Sequence, residues 1–225
     1  LDKILEKIPL VLSSIDREPF SLTYGSGDRV HWCWKFTDFP GARFQEYIYT
    51  LSWLVSSKSF DNPYYKNSRI IKEIEAGILY WDNIQYSDGS FDEAYPFEKS
   101  FAATSFTLFY NTEAFFLVEK LLSQKIKKTF LKVFDKASKW LICNDEHHGM
   151  LSNHQAVAAS ALYNAGIISG NNNFIKRSNY FLNKILKKQS NEGWFEEYGG
   201  PDIGYQTHGS FYLAVLWLRS KNNIL

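Results

Sequence analysis

Four side chains in the second half of the chain have the types and spacing to move a proton: Asn153 and His154, adjacent in sequence, and Tyr205 with His208 three positions on. Removing the proton next to a uronic acid carboxylate requires that carboxylate to be neutralised, which an amide and a ring N–H can do, and a nearby ionisable group to take the proton. Tyrosine, unperturbed at a pKa of ~10, serves as that base only where cationic or hydrogen-bonding neighbours favour its anion. His208 and Arg43 are the candidate neighbours. Each residue also has a structural reading. Ser152 or Asn153 would cap a helix while His154 packs against a neighbour, and Tyr205 would be a buried tyrosine bonded to a carbonyl.

The elements that must position these groups recur along the chain. The stretch 192–217, EGWFEEYGGPDIGYQTHGSFYLAVLW, is a polar, Gly-rich loop followed by a helix carrying small and aromatic residues. Residues 88–116, DGSFDEAYPFEKSFAATSFTLFYNTEAFF, and 149–166, GMLSNHQAVAASALYNAG, repeat the plan. Such repeats indicate stacked helical units, none of which can bury its apolar face alone. Periodicity predicts a short or kinked helix over 1–15, interrupted by Pro9, and then helices over 43–57, 66–83, 98–122, 126–143, 153–165, 174–188 and 205–219. The first full helix should bury Phe44, Ile48, Leu51 and Leu54 or Val55, and the fourth should bury Phe130, Val133, Phe134, Ala137 and Leu141.

Helices rich in small or aromatic residues alternate with helices bearing lysines, which implies an inner and an outer layer. The loops beginning at Gln85, Asn144 and Gln189 each precede an inner helix, so they share one rim. There Asn153 and His154 should face Tyr205 and His208 across a cleft. A helix start offers free N–H groups and partial positive charge to a carboxylate. The irregular stretch 16–41 is too aromatic to be disordered and too long to be a mere connection. The expected fold is therefore all-α, an α/α toroid, complete or partial, formed by 1–225 as one domain or as a fragment of a longer chain.

Composition sets further bounds. Phe, Trp and Tyr make up 17% of the chain, with 14 Tyr and 7 Trp, more than a helical core needs. Many should line a cleft, where Trp32, Trp34, Trp194 and Tyr198 would stack on sugar rings and Arg43 would bind an acidic group. The net charge of +1 argues against nucleic acid as a partner, and the lysine runs at 125–132 and 184–188 read as solvated helix faces. Cys33 and Cys143 show no metal-ligand or disulfide pattern and read as structural thiols, so neither metal nor cofactor is expected. No apolar run has the length of a membrane span. Nothing at the start resembles a signal peptide, which favours the cytoplasm. The chain begins at Leu1 rather than Met, which leaves room for an upstream segment and a periplasmic address.

An Asn-His pair at an inner-helix start, a Gly-aromatic loop of the DGSF or EGWF type and a Tyr some fifty positions beyond the His together resemble the toroid domain of the heparinase II/III and alginate lyase superfamily. The segment DRVHWCWKFTDFPGARFQE is also similar to the front of toroid proteins from bacterial surface-polysaccharide loci. The resemblance implies a polysaccharide lyase acting by β-elimination on an acidic polysaccharide or oligosaccharide. Asn153 and His154 would neutralise the substrate carboxylate and Tyr205 would act as base and then acid.

Two other functions fit the same elements. One is a non-catalytic helical scaffold or binding subunit in surface-polysaccharide biosynthesis. The other is a glycoside hydrolase using two of the rim carboxylates Asp88, Asp92, Glu93, Glu192, Glu196, Glu197 and Asp202. Toroid terpenoid cyclases, prenyltransferases and lanthionine cyclases fit poorly, because the chain has no DxDD or DDxxD motif and no Cys-His zinc set.

Overall fold

Most of the long helices begin at a side chain that accepts from otherwise free backbone N–H groups, in a computed structural model that describes residues 2–59 and 61–221. After α1 (Asp2–Leu5) and α2 (Ile8–Ser14), the short α3 (Arg29–Trp32) is capped by Asp28. A 3-10 turn (Ala42–Glu46) leads into α4 (Tyr47–Ser56). Asn67 caps α5 (Ser68–Asn83) and Ser100 caps α6 (Phe101–Val118). A second 3-10 turn (Glu119–Leu121) precedes α7 (Gln124–Cys143). Next come α8 (Ser152–Ser169), α9 (Asn172–Leu186), capped by Asn171, and α10 (Ile203–Ser220), capped by Asp202.

The expected layers are present. Packing runs from α4 to α6, α6 to α8 and α8 to α10 in one row, and from α5 to α7 to α9 in the other. Hairpin contacts α4–α5, α6–α7 and α8–α9 join the rows. Burial identifies the inner row: 15 of the 18 residues of α6 and 13 of the 18 of α8 are buried, so neither helix has a solvent face. The outer α5, α7 and α9 bury one stripe each and turn their lysines outward. In α7 that stripe includes Phe130, Val133, Phe134, Ala137 and Leu141, as expected. Four inner and three outer helices among the described residues make an arc of a toroid, and the fold is all-α.

Small residues set the spacing of the inner row. Ala156, Ala158, Ala159, Ala161 and Ala165 of α8 are fully buried, and Ser160 donates to the carbonyl of Tyr212 in α10 at 2.7 Å. Between the rows phenylalanine fills the larger gaps, with Phe115 stacked on Phe130 at 4.2 Å and Trp81 stacked on Phe91 at 5.6 Å. Each such pair is worth roughly 0.5–1.5 kcal/mol beyond its buried area. The aromatic excess is therefore divided: Phe mostly builds core, whereas exposed rings such as Trp34, Tyr95, Phe97 and Tyr198 sit on loops.

The stretch 16–41 is ordered because two buried side chains pin it to α5. Gln45 donates to the carbonyls of Gly25 and Gly77, each at 3.0 Å, and accepts from the N–H of Gly27 at 2.9 Å. Tyr47 donates to the Gly25 carbonyl at 2.9 Å. Gly25 itself has φ +88°, and a Cβ there would lie 2.2 Å from the Ala76 carbonyl oxygen.

Some expectations need correcting. Residues 1–15 form two short helices, with Pro9 in the first turn of α2 where its missing N–H costs nothing; Leu1 lies outside the described residues. Helix α4 starts at Tyr47, because the 3-10 turn before it rotates Phe44 outward, where it is 49% exposed rather than buried. Cys33 and Cys143 are exposed free thiols, not buried structural ones. No helix of the described residues is long and apolar enough to cross a membrane.

Candidate functional site

The loop 189–202 is laid across the start of α8. The N–H and hydroxyl of Ser152 both donate to the Glu196 carbonyl, at 3.3 and 2.8 Å, and the Tyr198 N–H donates to the Met150 carbonyl at 3.1 Å. Buried Asn153 then grips Glu197 twice, with its N–H to one carboxylate oxygen at 2.7 Å and its amide Nδ2 to the other at 2.9 Å. A carboxylate at a helix N-terminus is where the helix dipole favours it. Burial nevertheless raises the Glu197 carboxyl above its ordinary pKa, against the lowering by the two Asn153 bonds. The Asn153 amide is thus occupied within the protein. It holds a loop in place.

His154, one residue on, is part-buried and meets another carboxylate. Its Nδ1 lies 2.6 Å from Glu146, whose other oxygen accepts from the N–H of His148 at 2.9 Å and faces His148 Nδ1 at 2.9 Å. Burial of Glu146 pushes its carboxyl up, but the bonds from His154 and His148 outweigh that and hold it down to about 2. An ionised carboxylate only accepts, so Nδ1 of His154 carries the proton. Nε2 has no partner among the described residues. The result is an imidazole fixed in one orientation with one nitrogen available.

Around His154 stands an aromatic wall. The Phe106 ring meets the His154 ring edge-on at 5.6 Å and the Tyr212 ring at 5.5 Å, and Arg43 lies 3.7 Å over Phe106. The His208 ring is 6.1 Å from Tyr212, so His208 belongs to the same wall. The Tyr212 hydroxyl, bonded to that of Tyr110 at 3.1 Å, is held well above the ordinary tyrosine pKa by burial and by that bond, which removes it as a base. Arg43 is bonded to Glu46 and to Glu93, the latter at 3.2 Å. Burial opposes its charge, but the two carboxylates more than offset that. With two anions beside one cation, Arg43 has little positive field to spare for an anionic ligand.

Tyr205 lies in the first turn of α10, 40% exposed, its ring 6.3 Å from the ring of Tyr198. Its own N–H is capped by Asp202 at 2.8 Å. Tyr198 is 66% exposed and has φ +53°, a conformation costing of order 1 kcal/mol or more for a bulky residue. The three tryptophans expected as sugar platforms differ. Trp32 is an anchor, its indole N–H donating to the Ser14 carbonyl at 2.8 Å. Trp34 is 52% exposed, with Arg29 5.2 Å from its ring, on the N-terminal loop. Trp194 is half-buried and donates to Glu192 at 3.1 Å.

Glu146, Phe106 and Tyr212 belong to the site but do not stand out in the sequence reading. For Glu146 a signal exists, the acid and double-histidine run 145–148 ahead of His154. For Phe106 and Tyr212 none does, because inner-helix aromatics look alike. The seven rim carboxylates all have protein partners. Asp88 pairs with Lys99, Glu93 with Arg43 and Glu196 with Lys188; Asp92 accepts from the Phe97 and Lys99 N–H groups; Glu192, Glu197 and Asp202 are engaged as described above. That weighs against a two-carboxylate hydrolase. No cluster among the described residues is suited to hold a metal ion.

Residues 32–200 fit the family model described as Ulvan lyase N-terminal domain. No curated protein and no solved structure gives a significant match. The matched segment contains the Glu146–His154 pair and the loop carrying Glu197 and Tyr198, and it stops before α10 with Tyr205 and His208.

Proposed function

The chain belongs to the Ulvan lyase N-terminal domain family, and from that premise we propose that its rim binds an acidic, uronate-containing polysaccharide and cleaves it by β-elimination. The observation that carries the reading is His154, locked through Nδ1 to buried Glu146 at 2.6 Å with Nε2 unpartnered. A fixed imidazole beside an aromatic wall suits a sugar carboxylate, which would accept from Nε2 when the ring is protonated.

In this mechanism His154 neutralises the uronate carboxylate and so makes the adjacent carbon more acidic. Tyr205 takes that proton as its C–H bond breaks and the double bond forms. The glycosidic C–O bond breaks on the same face of the ring, and the same tyrosine returns the proton to the leaving oxygen. His208, three residues on along α10, is the proposed neighbour of the reacting tyrosine. Asn153 is a positioning residue: it keeps the 189–202 loop, and with it Tyr198, beside the cleft. Arg43, compensated by Glu46 and Glu93, shapes the wall through Phe106. The division of labour follows the heparinase II/III and alginate lyases that the sequence resembles, apart from the duty taken from Asn153.

The second reading, a binding subunit without turnover, draws on that same loss of the Asn153 amide from the cleft. Product analysis separates them. Incubation with uronate polysaccharides should yield chains with an unsaturated uronate at the new non-reducing end. Saturable binding with no such product would support the binding subunit, and reducing ends without unsaturation would support hydrolysis.

A further inference from the structure

Beside the candidate site lies a cavity of about 370 Å³, at the small end of ligand-site volumes, between the 85–100 and 144–151 loops. Glu146 and His148 line it together with Lys99 and His147. The carboxylates in its wall already have partners. Asp88 is paired with Lys99 at 2.6 Å and Asp145 with Arg177 at 2.9 Å. Glu98 accepts from three backbone N–H groups, and Glu146 is held by His154 and His148. What remains for a ligand is an N–H and an acceptor nitrogen on His147, the second nitrogen of His148, which accepts while Nδ1 donates to Glu146, and the spare N–H groups of Lys99. His147 makes no hydrogen bond among the described residues. Polar donors without a burden of free carboxylate suit a sugar bearing an acidic group.

The exposed rings of Tyr198 and Tyr205 stand 6.3 Å apart nearby. Glu146 marks the boundary. It touches His148 at the cavity, holds His154, and lies close enough to the Tyr198 hydroxyl to help raise its pKa.

We propose that this cavity is a second sugar subsite, with His147 and Lys99 as donors to the acidic group of a ring adjoining the one at His154, His148 accepting from a sugar hydroxyl, and the exposed Tyr198 as a stacking platform. The rim would then hold at least two rings of a chain, the reacting one and its neighbour. This rests on the acidic-polysaccharide reading above.

The test is calorimetric titration of the full chain with uronate disaccharides, tetrasaccharides and hexasaccharides, comparing wild type, His147→Ala and Tyr198→Ala. Both side chains are exposed, so the variants should fold. Affinity should rise with ligand length, and each variant should lose about fivefold on the longer ligands, the size expected for one polar or stacking contact. Length-independent affinity, or a His147→Ala variant that binds every length as wild type does, overturns the subsite while leaving the polysaccharide reading intact. Failure of wild type to bind any of the three overturns both.

Discussion

Replacing Glu146 with Gln should expose how much the site depends on one buried charge. The Glu146 carboxyl falls from 4.5 to about 2 on folding, its burial overcome by bonds from His154 and His148. A depression of that size corresponds to roughly 3 kcal/mol of stability at neutral pH. Because the folded value is the lower one, the contribution is complete above the unfolded pKa and disappears as pH falls through the folded pKa, in a window from about pH 5 down to about pH 2. Gln keeps the shape but not the charge, so urea unfolding at pH 7 should find Glu146→Gln less stable by up to roughly 3 kcal/mol, and at pH 3 the gap should shrink to about half that. The variant should also let the His154 ring turn, because an amide can donate to Nδ1 as readily as accept from it. Equal stability of the two proteins at pH 7, or a gap unchanged at pH 3, would refute the reasoning.

Three further outcomes follow from the packing. Gly25→Ala forces a Cβ to within 2.2 Å of the Ala76 carbonyl at φ +88°, and should lower stability by about 2–4 kcal/mol in thermal unfolding, whereas Gly200→Ala, with open space around it and no positive φ, should cost much less. Arg219→Ala strips the partner from Glu113, which is then buried with only Asn164 beside it; a loss of about 3 kcal/mol is expected, and Arg219→Ala with Glu113→Gln should recover part of it. Asn153→Ala removes one of the two bonds to Glu197 at a cost of about 1–3 kcal/mol, and limited proteolysis should cut within 189–202 faster than in wild type.

The arc of helices was legible because its signals are local. Lysines at helical spacing in 125–132 marked an outer helix, and the alanines of 156–165 marked an inner one. The α4 boundary was missed because a 3-10 turn and a first α-helical turn share nearly the same spacing, and only packing turned Phe44 outward. The site divided along the same line. The order of loops and helices puts His154 and Tyr205 at the starts of neighbouring inner helices, α8 and α10. The partner of Asn153 was not legible, since Glu197 lies 44 positions away and its approach depends on how the 189–202 loop crosses α8. Glu146 escaped for a related reason: a carboxylate in a surface loop reads as solvated until the fold buries it. Trp32 shows the converse, an aromatic side chain suited to stacking whose indole N–H is taken by the Ser14 carbonyl.

The most direct measurement follows ultraviolet absorbance of the unsaturated product while wild type, His154→Ala and Tyr205→Phe are incubated with a panel of uronate polysaccharides. The account predicts a steady rise for wild type on at least one substrate and a fall of about 100-fold or more in rate for each variant, with oligosaccharide binding retained by Tyr205→Phe. No absorbance change on any substrate, or a Tyr205→Phe variant that turns over like wild type, would contradict it.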